Sequence, residues 1–372
     1  MCCCYVLKDE DLIRISGKTK AFKYEFLSAY IPLWNEIIFG KERKRRALID
    51  THAGTGRVLY HGETIYGSCG LFLEKTVLQQ HGLDYYFIEK DFSHYRMLQK
   101  NVRSMCEEGF KFPIEYKNTT KGFEKNGLLF ERKEIEKKAR VAYPNKDQIN
   151  ILNGDCVEVI GHVLKQVDGA PAFFFIDPCG VFEWKLIKKI VKKRLLDKNG
   201  KNNGNGNGKQ KTNEKPFPAT ELFINFSWEA ISRNKNKEKS RDNFFQQFFG
   251  MSYAEVQREV SKAKKKREQK GKRYFEYNLY VDVYKSNLRK YFDYVTEMSI
   301  IGVKSEKNPV YVLIFCSNNE IAKNLYEEKE AELNNTKRQF QSIRSMKNDK
   351  RNYTYQDYKE FLKAQRSMCD FF

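Results

Sequence analysis

Four short apolar runs, each ending in or just before an acid, constrain this chain more than any other feature, because they are too short for stable helices and too apolar for loops. They are Arg46-Ala47-Leu48-Ile49-Asp50, Tyr85-Tyr86-Phe87-Ile88-Glu89, Ile149-Asn150-Ile151-Leu152 with Asp155 just beyond, and Ala172-Phe173-Phe174-Phe175-Ile176-Asp177. Each reads as a buried strand. The last is apolar without a break, which suits the centre of a parallel sheet covered on both faces. Segments with helical spacing separate the runs. Leu71, Leu73, Val77 and Leu78 follow Ser68 as N-cap and are closed by Gly82; Leu98, Val102 and Met105 follow Ser93 as N-cap; Val159, Val163 and Val167 follow a turn at Gly154-Asp155. Strands alternating with helices through right-handed crossovers make a doubly wound α/β sheet.

Upstream, Phe26, Tyr30, Trp34 and Ile38 mark an amphipathic helix that begins at Phe22 and that Gly40 ends. Downstream, a helix from Phe182 to Leu196 leads into a Gly/Asn/Lys tract from Asn199 to Asn213, too polar and glycine-rich to pack. Glu221 to Phe226 restores a strand, a mostly helical insertion runs from Trp228 to Phe292, and two last strands lie near Met298–Ile301 and Val310–Phe315. Two late strands after so long an interruption give a mainly parallel, seven-stranded sheet whose last strand inserts antiparallel. The chain divides into an N-terminal helical extension (1–45), a Rossmann-like core (46–227) with an irregular insertion (118–147) and a flexible loop (198–215), a helical basic insertion (228–294), the final strands and helix of the core (295–333), and a charged tail (334–372).

In an open parallel sheet, ligands bind beyond the carboxyl ends of the strands, near the point where strand order reverses. Here those ends carry Asp50 with Gly54 and Gly56, Glu89 with Asp91, then Asp155 and Asp177. Glycines let the backbone approach a ligand, and an acid closing the second strand accepts both ribose hydroxyls. A G-x-G turn alone is common in tight turns; joined to acids at successive strand ends, it implies an adenosine-containing cofactor. NAD is the rival. A dinucleotide site opens its helix directly after the glycine turn, whereas here Arg57 to Gly67 intervene, and acids repel a pyrophosphate. A compact nucleoside with a charged sulfonium suits them better. His52, inside the turn, reads either as a cofactor-pocket residue or as a satisfied turn histidine.

Four blocks resemble the three-Cys-motif partner (TcmP) family: Tyr30-Ile31-Pro32-Leu33-Trp34 with Ile49 to Arg57; Gly67-Ser68; Phe87-Ile88-Glu89-Lys90-Asp91; and Phe174-Phe175-Ile176-Asp177-Pro178-Cys179-Gly180. The resemblance spans Lys18 to roughly Lys329, with weaker support from Leu222–Phe226 and Tyr311–Phe315. It implies a class I methyltransferase-like Rossmann fold using S-adenosylmethionine. Asp50, Gly54 and Gly56 would frame the cofactor's amino-acid moiety, Glu89 would hold ribose, Asp155 would lie near adenine, and Asp177 and Pro178 would sit at the reacting centre. It also implies a companion protein with a three-cysteine motif. The family pattern is similar to D-x-F-A-G-x-G and D-P-F-G, so His52 and Cys179 each stand where phenylalanine is expected. The Asp-Pro turn is similar to the D-P-P-[YF] turn of amino-methyltransferases, which orients an exocyclic amine while an aromatic, here Phe182 or Trp184, stacks on the base. Pro178-Cys179 is also similar to the Pro-Cys nucleophile of cytosine-C5 methyltransferases, although a cysteine in a phenylalanine's place is commonly inert packing.

Charge points to the partner. The 68 Lys and Arg outnumber the 48 Asp and Glu to give a net +20, which attracts phosphate-bearing partners. From Arg233 to Arg273 fourteen cations face five acids. The Lys264-Lys265-Lys266-Arg267 run reads as a contact to nucleic acid, DNA or RNA, and Asn225 and Arg233, at and beyond a strand end, as groups that meet substrate. The plainer alternatives are a solvated lysine face and, for Phe244, Phe245, Phe248 and Phe249, helix core. With 41% hydrophobic residues the chain is not disordered. Nine cysteines lack CxxC pairs, and neither a signal peptide nor an apolar run near about twenty residues is present, so reduced thiols in the cytoplasm, no membrane and no metal site are expected. Cys2, Cys3 and Cys4 are adjacent and cannot all reach one tetrahedral ion. The expected function is methyl transfer from S-adenosylmethionine to a base amine in nucleic acid. The alternative is a catalytically silent nucleic-acid or partner-protein platform of the same fold.

Overall fold

The computed structural model describes residues 13–15, 22–42, 45–60, 63–76, 82–108, 115–118, 148–178, 180, 182–195, 219–301 and 309–332. The Cys2–Cys4 cluster, Val77 and Leu78, the 118–147 insertion beyond Asn118, Cys179, the 198–215 loop and the 334–372 tail lie outside the described residues. In chain order the strands are β1 (Ile13–Ile15), β2 (Arg46–Asp50), β3 (Arg57–Tyr60), β4 (Glu63–Tyr66), β5 (Leu83–Glu89), β6 (Glu115–Asn118), β7 (Gln148–Asn153), β8 (Ala172–Ile176), β9 (Thr220–Phe226), β10 (Tyr294–Ile301) and β11 (Pro309–Ser317). The helices are α1 (Phe22–Glu42), α2 (Ser68–Thr76), α3 (Phe92–Glu108), α4 (Cys156–Gln166), α5 (Trp184–Arg194), α6 (Trp228–Asn234), α7 (Glu238–Phe249), α8 (Tyr253–Gln269), α9 (Glu276–Leu288) and α10 (320–332).

The main sheet has the order β10-β11-β9-β8-β2-β5-β7-β6 and is parallel except for β11, which runs antiparallel to both neighbours. The chain builds outward from β2 through β5 and β7, then returns to β8 on the other side of β2. Strand order therefore reverses between β2 and β8, which is where an open sheet leaves a crevice at its carboxyl edge. This is the class I methyltransferase-like arrangement, with the expected antiparallel insertion and one strand more than the seven expected. The extra strand, β6, lies at the far edge, where Glu115-Tyr116-Lys117-Asn118 is too polar to announce itself in the sequence.

Two cores follow from strand periodicity. Phe173, Phe175, Leu48, Phe87 and Phe223 point to one face, under α1, α2, α3 and α10, while Phe174, Ile49, Ile88 and Ile224 point to the other, under α4 to α9. The unbroken apolar run of β8 is thereby explained: alternate residues serve opposite cores, and each buried phenylalanine contributes about 1.5–3 kcal/mol. Four local expectations need correction. Helix α1 continues past Gly40 to Glu42, because one glycine costs only about 1 kcal/mol and the packed apolar face outweighs it. Asp91, not Ser93, caps α3: its Oδ1 accepts from the His94 N–H at 2.9 Å and the Ser93 hydroxyl at 2.6 Å. Ser68 is the first residue of α2, and its hydroxyl is spent on Asp50. Between the glycine turn and α2 the chain forms the antiparallel hairpin β3–β4, which pairs with β1 in a second small sheet.

Helices α6 to α9 pack an aromatic cluster against the sheet. Phe244, Phe245, Phe248 and Phe249 are buried as helix core, with Phe226 and Tyr284 among them. Phe182 and Trp184 join this cluster, edge-on to Phe248 and Tyr284 respectively, so neither is free to stack on a base. Gly250 closes α7 in a left-handed conformation (φ 69), and a Cβ there would overlap the Trp184 indole. Left-handed backbone costs a non-glycine residue about 1–2 kcal/mol and overpacking about 1–3 kcal/mol more. Gly250→Ala is therefore expected to lower the unfolding free energy by about 2–5 kcal/mol in urea titrations; an unchanged midpoint would mean that this helix end packs otherwise.

Candidate active site at the strand tips

Backbone hydrogen bonds fix the turn after β2 against both neighbouring strands. Thr51 N–H donates to the Phe175 carbonyl (3.0 Å), Ala53 N–H to that of Ile88 (2.9 Å), and Gly154 N–H to that of Glu89 (3.0 Å). The four acids therefore stand along one edge: Asp50 and Glu89 end β2 and β5, and Asp155 and Asp177 follow β7 and β8. Gly54 N–H donates to Glu89 Oε2 at 2.9 Å and Asp91 N–H to Oε1 at 2.7 Å, so the carboxylate of β5 already braces the glycine turn. Burial holds Glu89 above the usual carboxylate pKa against those donors. Gly56 has a packing reason to lack a side chain, since a Cβ there would press on Leu98 at 2.9 Å and Cys69 at 3.2 Å.

Asp50 is fully buried, accepting from the His52 N–H at 3.0 Å and from the Ser68 hydroxyl. Burial pushes its carboxyl up to about 7, and the Asp177 charge adds to the rise, while the two donors and Lys23 oppose it. Asp155 caps α4 through Val157 N–H (2.8 Å) and pairs with Lys90 (3.0 Å). Burial works against its charge, but Lys90 and the Val157 N–H hold its pKa below the usual value.

Asp177 is clamped from two sides. Lys23, from α1, pairs with Oδ2, and the Asn225 side-chain NH2, from the end of β9, donates to Oδ1 at 2.6 Å. Burial disfavours the Lys23 charge, yet Asp177 and then the Tyr24 and Tyr311 hydroxyls raise its pKa above the ordinary lysine value. Because a carboxylate only accepts, Asn225 must present its NH2 to Asp177, which leaves its Oδ1 buried and without a hydrogen-bond partner. Pro178 is buried, and its carbonyl accepts from Gly180 N–H at 2.8 Å.

His52 is satisfied within the turn. The Thr51 hydroxyl donates to the Phe175 carbonyl (3.1 Å), so its oxygen accepts from His52 Nδ1–H (2.8 Å), and bare Nε2 faces the Cys156 thiol at 3.6 Å. Burial lowers His52 to about 4 and raises Cys156 to about 12, so both are neutral near pH 7 and form no thiolate–imidazolium pair.

The expected substrate groups separate. Asn225 joins Asp177, whereas Arg233 is exposed on α6 beside Glu229 at 3.8 Å. The Lys264–Arg267 run winds around α8 instead of forming one patch: Lys264 faces Glu268 at 4.0 Å, Lys265 and Lys266 are exposed, and Arg267 is held by Asp282 at 2.5 Å. Lys23 and Ser68 were missed as site residues. The signal for Lys23 was its spacing, since it precedes Phe26, Leu27 and Tyr30 on the apolar stripe of α1.

Fold and strand tips together define a class I methyltransferase-like α/β protein. No family model matches the chain, and no curated protein does. Among solved structures, it is similar to a Legionella pneumophila protein of family DUF519 (TM-score 0.38, 10% identity, covering 81% of this chain and 85% of that one). It is also similar to the carbon methyltransferase DszA (0.35, 11%, 80% and 54%) and to the methyltransferase domain of a bacterial Hen1 (0.30, 10%, 78% and 99%). The chain thus spans about half the length of DszA. The fold assignment rests on the strand order and not on these likenesses.

Asp50 gives the site a pH signature. Its pKa rises from 3.8 to about 7 on folding, so the unfolded chain releases the proton first as pH climbs through that window, and the carboxyl progressively costs stability. Asp50→Asn keeps an acceptor for the His52 N–H and removes the charge. It is expected to raise the unfolding free energy at pH 8 and leave it nearly unchanged at pH 4; a larger loss at pH 8 than at pH 4 would contradict the assigned direction.

Proposed function

We propose that this protein transfers a methyl group from S-adenosylmethionine to a base amine in nucleic acid. The observation that carries the reading is the Asp177 clamp at the switch point, with the unpartnered Asn225 Oδ1 beside it. The residues present fit the cofactor: the strand tips offer carboxylates and backbone carbonyls, acceptors suited to ribose hydroxyls and a positive centre, and an environment hostile to phosphate. Glu89 would take the ribose, since each carboxylate oxygen accepts more than one donor, and Asp50, Gly54 and Asp155 would line the remainder. When bound, the cofactor supplies an electrophilic methyl group. Asp177 and Asn225 Oδ1 would accept the amine N–H groups and so point the nitrogen lone pair toward it, the Asp177 carboxylate would take the proton that the nitrogen sheds on methylation, and Lys23 would keep that carboxylate from swinging. Membership of the three-Cys-motif partner family, a companion protein and a cytoplasmic setting are proposals that rest on the motif blocks and the cysteine pattern. No helix among the described residues is long and apolar enough to cross a membrane.

Calorimetric titration with the cofactor and radiolabel transfer to total nucleic acid test the reading together. Gly54→Arg is expected to abolish the heat of binding. Asp177→Asn is expected to retain it while slowing transfer by about 10²–10⁴-fold. No heat at millimolar cofactor would sink the proposal; cofactor and nucleic-acid binding without transfer would make the chain a silent platform of the same fold.

A further inference from the structure

A cleft of about 710 Å³ lies between α8, α9 and the first half of β10. Eight of its lining residues are Lys or Arg and three are acids, a net +5. Every acid is already engaged: Glu259 by Lys262 at 2.7 Å, Asp282 by Arg267 at 2.5 Å, and Glu297 by Lys285. Lys266, Lys270 and Lys272 line the same cleft, are exposed, and make no ion pair among the described residues. Although Lys285 pairs with Glu297, burial and then Arg289 and Arg267 hold its ammonium down to about 8. The cleft therefore carries more positive charge than its own acids offset. Lysines act as point charges suited to several separate phosphates, and no single carboxylate would balance five charges.

Strand register sets one wall of the cleft, at Glu297, level with the end of β8. Glu297 is level with Ile314, Ile224 and Ile176 across β10, β11, β9 and β8. Ile176 immediately precedes Asp177. Three strand spacings separate Glu297 from Ile176, roughly 14 Å at about 4.8 Å each. A few nucleotides bridge that distance. Lys264 and Lys265 do not line the cleft, so the run seen in the sequence is divided and only its second half faces inward.

We propose that the α8–α9 cleft holds backbone phosphates of the nucleic-acid strand whose base is presented at Asp177. The proposal rests on nucleic acid as the substrate class and is independent of the cofactor. Phosphate contacts of this kind set register and affinity and leave the choice of base to the strand tips.

Anisotropy of a labelled single-stranded oligonucleotide, titrated over a range of salt concentrations, tests it. Lys266→Gln/Lys270→Gln/Lys272→Gln changes only exposed side chains and is expected to reduce the slope of log K against log salt by about 2, at about 0.7 for each phosphate no longer neutralised. The control Lys185→Gln/Lys188→Gln/Lys192→Gln removes the same charge from exposed positions of α5 and is expected to leave the slope unchanged. Equal slope reductions in the two variants, no reduction in the cleft variant, or no binding by the wild type would each overturn the proposal. So would inorganic tripolyphosphate binding that the cleft variant loses while oligonucleotide binding stays intact. Cofactor calorimetry on the same proteins separates the two readings: a reduced slope without cofactor heat keeps the cleft and removes methyl transfer, and cofactor heat without a reduced slope does the reverse.

Discussion

Carboxylates gathered along one sheet edge repel one another, and the arrangement of this site follows from how the chain manages that repulsion. Two like charges about 4 Å apart in an effective dielectric near 20 cost about 4 kcal/mol. The chain answers differently at each tip. Asp177 is neutralised by Lys23, and Asp155 by Lys90 together with a helix N-terminus. Glu89 is held by two backbone N–H groups. Asp50, the most deeply buried, has its proton affinity raised until its charge is half lost near pH 7. The edge is thus acidic in composition but graded in charge.

The Lys23–Asp177 pair also ties the site to the rest of the fold. Helix α1 lies over one core through Phe26, Tyr30 and Trp34, and its first turn delivers a lysine to the tip of β8. Asn225 reaches the same carboxylate from β9, so three elements meet at one side chain. Helices α6 to α9 cover the opposite face with aromatic residues and present their basic surface beside the same sheet edge. The strand-tip carboxylates and the basic cleft therefore share the sheet as a common rigid reference, and α8 and α9 serve as core on one side and charged surface on the other.

Much of this was legible in the residues. Buried parallel strands cannot hide, because Phe173 to Ile176 can only be apolar if both faces are covered, and the acids that end them mark the carboxyl edge. The antiparallel insertion of β11 followed from two late strands after a long interruption. Strand β6 and the β3–β4 hairpin were not legible, since they are short and polar or interrupted, and their pairing is set by tertiary contacts. The capping of α3 by Asp91 instead of Ser93 turned on which of two neighbouring side chains reaches the free N–H groups, a choice that residue type leaves open. Phe182 and Trp184 were misread because an aromatic after a catalytic-type turn looks the same in sequence whether it stacks on a ligand or on Phe248 and Tyr284. The basic run was read as a contact to nucleic acid, and what the residue string leaves out is that a helix turns successive lysines about 100° apart and sends them to different surroundings.

The most direct measurement is the pH dependence of S-adenosylmethionine affinity beside that of S-adenosylhomocysteine, which lacks the sulfonium charge. A positive centre near Asp50 favours its ionised form, so binding releases a proton in the range where that carboxyl titrates. Affinity for S-adenosylmethionine is expected to climb more steeply than that for S-adenosylhomocysteine as pH rises from about 6 to about 8, since both ligands carry the α-ammonium and only the first carries the sulfonium. Parallel profiles for the two ligands would contradict a sulfonium site at these strand tips.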